Sequence, residues 1–293
     1  MTVSTSTRTL AVPGAAVVYD VHGPLPPTDR PPLLMIGQPM DASGFRALRS
    51  FFPDRTVVTY DPRGLGRSTR EDGRTDHDPQ QHAEDLHHLV NALGCGPVEV
   101  FASSGGAVDG LALVTAYPQD VLVLVAHEPP LTHLLPDAEG VGRAEQDIAR
   151  AYQEGGFGPG MARFIDYTSW EGELTQDYFD RPAPDPVAYG LPAGDDGSRD
   201  DPLLSGASDS VTAWTPDVDT LSASGVRIVV AAGEESARQV TGRSAEAVAT
   251  RLGLPLTIFP SHHGGFLGGE LGWAGQPEAF AARLREVLDA SGP

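Results

Sequence analysis

One cysteine, Cys95, occurs in the 293 residues. No intrachain disulfide can form and no thiolate cluster can hold a metal, so a packed core has to carry stability. Cys95 sits between Gly94 and Gly96, away from any motif, and reads as structural. Basic residues are scarce, with 20 Lys plus Arg against 40 Asp plus Glu and a formal charge of −20. Such a field repels nucleic acid and anionic membrane surfaces. It favours solubility and says little about substrate. The acidic concentration at Asp195, Asp196, Asp200 and Asp201 reads as a solvated loop. No apolar run approaches the ~20 residues that span a bilayer, and the first twenty residues lack a basic stretch followed by an apolar one. The expectation is a cytoplasmic monomer or homodimer with no nucleic-acid or membrane partner, no cofactor and no metal. No internal repeat is visible.

The hydrophobic content, 40%, suffices for one large core or a core carrying an insertion. Residues 9–22 read as two strands around a Pro-Gly turn, an antiparallel edge. Short apolar runs at 33–36, 56–60, 98–101, 121–126, 226–232 and 256–259 then alternate with helical patterns at 42–52, 79–93, 107–114, 244–252 and 277–288. Strand and helix in this rhythm predict a mostly parallel sheet covered on both faces. Between 129 and 222 the rhythm breaks. That stretch has helical segments near 141–153 and 160–167, loops rich in Pro, Gly and Asp, and a dense set of aromatics: Phe164, Tyr167, Trp170, Tyr178, Phe179, Tyr189 and Trp214. A composition shift between two sheet strands predicts an inserted cap over 131–222, with the core formed by 1–130 and 223–293. Trp170 and Trp214 are candidate substrate contacts, with ordinary packing as the alternative.

Residues 98–106, Val-Glu-Val-Phe-Ala-Ser-Ser-Gly-Gly, run from a strand through a turn of small residues into an apolar helix. Ser104 falls at the bend, where a strained backbone lifts its hydroxyl clear of the sheet and the following N–H groups face an incoming group. An alcohol needs a base during attack, and imidazole suits the task at neutral pH. Of the nine histidines, His262 and His263 lie in a Gly-rich loop after the last strand, at the edge where the bend also opens. His82, His87 and His88 read as a helix surface, and His127 as a strand-end residue that packs near the site.

Three segments together resemble the α/β-hydrolase superfamily, in that superfamily's order. Asp61-Pro62-Arg63-Gly64-Leu65-Gly66-Arg67-Ser68 is similar to its Asp-x-Arg-Gly-x-Gly-x-Ser loop. Ala102-Ser103-Ser104-Gly105-Gly106 is similar to its nucleophile elbow, with Ala for the first Gly. His263-Gly264-Gly265-Phe266 resembles its histidine loop. The resemblance implies an α/β-hydrolase fold with a helical cap, Ser104 as nucleophile and His263 as base, His262 being the other candidate. The usual acid, three residues after a Gly beyond the 226–232 strand, falls on Ser236. A second location used in the superfamily follows the strand after the elbow and falls on Glu128, 24 residues beyond Ser104. Glu234 and Glu235 remain alternatives. The oxyanion hole is expected from the N–H groups of Gly105 and Gln38, whose side chain could add a donor; Pro39 has no N–H. Asp41 stands as a substrate contact or a helix N-cap. The implied activity is hydrolysis of an ester or related acyl compound, such as a carboxylic ester, lactone or thioester, from an apolar small molecule. A non-catalytic binding protein on the same fold, or a cyclase or acyltransferase using the same serine, are the rival readings.

Overall fold

A computed structural model describes residues 4–27 and 29–290; the outermost residues of the core expected at 1–130 and 223–293 lie outside that set. Along the chain run β1 (Thr5–Val12), β2 (Ala15–His22), β3 (Leu33–Gln38), α1 (Arg46–Ser50), β4 (Val57–Tyr60), β5 (Thr69–Arg70), α2 (Pro79–Leu93), β6 (Val98–Ser104) and α3 (Gly105–Ala116). They continue with β7 (Val121–His127), α4 (Ala138–Gly155), α5 (Phe157–Ser169), α6 (Gln176–Phe179), α7 (Asp209–Thr212), α8 (Val218–Ala223), β8 (Arg227–Gly233), α9 (Val240–Leu252), β9 (Leu256–Phe259) and α10 (Pro277–Asp289). The sheet order is β1-β2-β4-β3-β6-β7-β8-β9, with β5 pairing on β2. β1, β2 and β4 pair antiparallel, and every neighbour from β4 to β9 is parallel.

Sequence pattern and coverage agree strand by strand. β2 alternates buried and half-buried positions, whereas all six residues of β3 are buried, as a parallel strand covered on both faces requires. One face packs against α2, α3 and α9 through Leu86, Leu111 and Val248. The other packs against α1 and α10 through Leu48, Phe280 and Leu284. α2 begins where Asp78 accepts the Gln80 N–H and Pro79 takes the first turn, and it ends on Gly94 at φ 67°; each choice suits its position.

α2 also corrects a sequence expectation. His82 is 1% exposed, not on a surface, with Nδ1 2.8 Å from Oδ2 of Asp109 on α3. It lies one turn before Leu86, on the stripe that faces α3. His87 is half-buried against Asp120, 2.6 Å away, and His88 is exposed. Asp109→Ala would strand the buried imidazole, and the expected loss of stability is about 3 kcal/mol, read by urea unfolding.

The 131–222 segment carries its own apolar cluster of Leu135, Val141, Ile148, Tyr152, Tyr167, Leu174 and Leu204, seated on Val240 of α9. Farther along, Val211, Trp214 and Leu221 join the cluster under the main sheet.

Register sets what meets at the carboxyl edge. Gln38 pairs with Ser104, Ser103 with His127 and His127 with Ala231. Gln38, Ser104 and Glu128 therefore emerge side by side.

Candidate active site

Ser104 has φ 58° and ψ −131° at the junction of β6 and α3. A non-glycine residue holds such a backbone only where its surroundings impose it, and here close packing on β3 does so. A Cβ on Gly105 would lie 2.0 Å from Gln38 Oε1, and one on Gly106 would lie 2.7 Å from both Gly37 Cα and Ile36 O. Ala102 is accommodated because Gly110 faces it; a Cβ there would come within 3.3 Å of Ala102 Cβ and 2.8 Å of Leu124 Cδ1. The first N–H groups of α3 have no partner within the helix and are oriented to receive an anion.

Glu128 follows β7 at φ 48° and is fully buried. Its Oε2 lies 2.6 Å from His263 Nδ1, and its Oε1 accepts the Gly233 N–H at 2.8 Å. One carboxylate thus joins the ends of β7 and β8 to the loop after β9. Burial alone would raise its pKa. The hydrogen bond and charge of His263, with His127 beside it, outweigh burial and hold the carboxyl at about 2, so it is ionised at any ordinary pH. The His263 side chain is 35% exposed. With Nδ1–H donated to the carboxylate, Nε2 keeps a free lone pair, the arrangement a base needs. Phe266 anchors this loop, stacked on Phe45 at 5.5 Å and edge-on to Phe101 at 5.6 Å.

The other candidates separate by their contacts. His262 is spent within the loop: Nδ1 accepts the Gly264 N–H at 3.0 Å and Nε2 faces Ala274 O at 3.2 Å. Glu234 and Glu235 are exposed. Ser236 is fully buried. Asp41 caps the turn at Ala42–Phe45 by accepting the Ser43 N–H at 2.8 Å. The Gln38 side-chain amide donates one N–H to Ser208 Oγ at 3.1 Å, which leaves its second N–H to spare. Trp214 is 8% exposed within the main core. Trp170 borders a surface cleft with Asp166, Ser169, Glu171 and Arg181, its ring under the Arg181 guanidinium at 5.1 Å. The Ser104 hydroxyl makes no side-chain hydrogen bond among the described residues, so the structure joins Glu128 to His263 without a bond from His263 to Ser104.

In the Asp61–Ser68 segment, Asp61 accepts the Ala42 N–H at 3.0 Å and the Arg67 N–H at 2.8 Å, and Arg63 forks onto Asp85 at 2.6 and 2.5 Å. These bonds brace the loops around β3 and β4. Ser208 gave no sequence signal; its bond to Gln38 spans 170 residues.

Sheet order, elbow and histidine loop make this the α/β-hydrolase fold, with nine mostly parallel strands flanked by helices. No protein-family model matches the chain. A curated relative, the uncharacterized hydrolase YraK of Bacillus subtilis (strain 168), is 39% identical over 139 residues, 47% of this chain and 49% of that protein; the matched stretch thus spans about half the relative's length. A hydrolase from Pseudomonas aeruginosa PA01 superposes with TM-score 0.64 at 21% identity, covering 97% of this chain and 98% of the other. A thermophilic esterase from Thermogutta terrifontis gives 0.61 at 21%, with the same two coverages. Among the described residues no helix is long and apolar enough to cross a membrane.

Proposed function

We propose that the chain is a serine hydrolase acting on an ester or related acyl bond of an apolar small molecule. The observation that carries this reading is the pairing of His263 with the buried Glu128, 2.6 Å apart, at the sheet edge where Ser104 stands at positive φ. Ser104 Oγ attacks the acyl carbon while its proton passes to His263 Nε2, and Glu128 stabilises the imidazolium. The tetrahedral oxyanion accepts hydrogen bonds from the Gly105 and Gln38 N–H groups. Collapse expels the alcohol, which takes the proton from His263, and leaves an acyl-serine. Water, deprotonated by His263, then attacks the acyl-serine; a second oxyanion collapses, and Ser104 leaves with the proton. The Ser104–His263 contact is expected to tighten once substrate fills the site. The hydrolase and esterase among the similar structures support the reaction class by analogy of fold.

A panel of p-nitrophenyl esters of increasing acyl length, with a lactone and a thioester added, tests the reading. The expected result is turnover that depends on acyl length; a protein that cleaves none of them contradicts it.

A further inference from the structure

His127 is fully buried beside the proposed acid and base. Its Nδ1 lies 3.2 Å from Ser103 Oγ. Its Nε2 makes no hydrogen bond among the described residues and stands 4.0 Å from Glu128 Oε1. The ring lies near-parallel to that of His263, with centroids 6.1 Å apart. Four aromatic rings, those of Phe101, Phe259, Phe266 and Phe280, lie between 5.3 and 6.3 Å from it.

The tautomer follows from the two nitrogens. A neutral imidazole donates from one and accepts at the other. A lone pair on Nε2 would face the Glu128 carboxylate and be repelled, whereas an N–H there points its positive end at the anion. Ser103 can donate to Nδ1 and thereby fix the second choice. Burial, ahead of the opposing charge of Glu128 and with His263 adding to the effect, lowers the imidazole pKa to about 4, so the ring is neutral at working pH. The titratable groups facing His127 are Glu128 and His263, and Glu128 in turn faces those two histidines. His262, next along the loop, is turned to Ala274.

We infer that His127 is a positioning residue: its neutral ring, oriented by Ser103 and carrying its proton on Nε2, directs an N–H dipole at Glu128 and keeps that carboxylate aligned on His263. The inference rests on the proposed Ser-His-Glu reading for its catalytic consequence, while the tautomer can be read without any turnover.

Nitrogen-15 NMR of the wild-type protein is expected to show His127 as the neutral Nε2–H form from pH 8 down to about 5, and Ser103→Ala is expected to disturb that signal. The Nδ1–H form, or a ring that titrates near pH 6.5, overturns the inference. In rate measurements on the best ester, His127→Phe removes the dipole but fits the aromatic cage. It is expected to lower kcat more than it raises KM and, because a less well aligned carboxylate stabilises the protonated base less, to move the acid limb of the kcat/KM profile down by about half a pH unit. His127→Gln, which can still direct an N–H at Glu128, is expected to restore the limb. A limb unmoved in His127→Phe overturns the positioning role. Should the wild type cleave no ester, the hydrolase reading falls on that result, and the NMR result still decides the tautomer.

Discussion

Ser104→Ala is expected to reduce turnover of the best ester by about 10⁴- to 10⁶-fold, leaving what binding and the oxyanion donors alone supply. The size follows from removal of the only protein atom proposed to bond to the acyl carbon. Folding is expected to be unaffected, because the strain at this position belongs to the backbone, φ 58°, and alanine experiences it as serine does. Among the described residues the Ser104 hydroxyl also makes no side-chain hydrogen bond that alanine would forfeit. A melting temperature equal to that of wild type, measured alongside the rates, separates loss of chemistry from loss of structure. Retention of more than a tenth of the activity would place the nucleophile elsewhere.

Glu128→Gln is expected to cost about 10⁴-fold in kcat. The substitution preserves shape and leaves a carbonyl oxygen to accept the Gly233 N–H, which Glu128 accepts at 2.8 Å. It takes away the negative charge that stabilises a protonated His263, and an amide NH₂ placed against Nδ1 forces the ring into the tautomer that cannot take the proton of Ser104. Glu234→Gln and Glu235→Gln are expected to leave turnover unchanged, because both side chains are exposed. Stability moves with pH in a definite direction. The folded-state pKa of Glu128 is depressed from 4.5 to about 2, so its contribution is present above pH 4.5 and is lost as pH falls through 2. Acid unfolding of the wild type followed by circular dichroism should therefore steepen below pH 4.5, and Glu128→Gln should flatten that slope.

The fold was legible because parallel strands covered on both faces must be short and wholly apolar, as 33–36 and 121–126 are, and because helices separate them in a regular alternation. The antiparallel edge was equally plain from the Pro-Gly turn between β1 and β2. For the site, what a local pattern can carry was readable: small residues at a bend, histidines beside paired glycines. The choice between Glu128 and the pair Glu234 and Glu235 depends on which side chain turns inward. One residue of register decides that, and spacing along the chain leaves it open. A histidine in a helix suggests a surface, and His82 departs from that because its partner, Asp109, lies 27 residues on in another helix. Gln38 likewise meets Ser208 from 170 residues away, a contact with no local signature. Long-range pairs of polar side chains leave no periodic trace, so they are visible only once the chain is folded.

The central claim is that Ser104 is an activated nucleophile supported by His263 and Glu128. It is tested most directly by treating the wild-type protein with a fluorophosphonate and mapping the adduct by mass spectrometry. The account predicts one phosphonyl group per chain, on Ser104, with labelling abolished in Ser104→Ala and strongly slowed in Glu128→Gln. A protein that stays unlabelled, or carries the group on another residue, would contradict it.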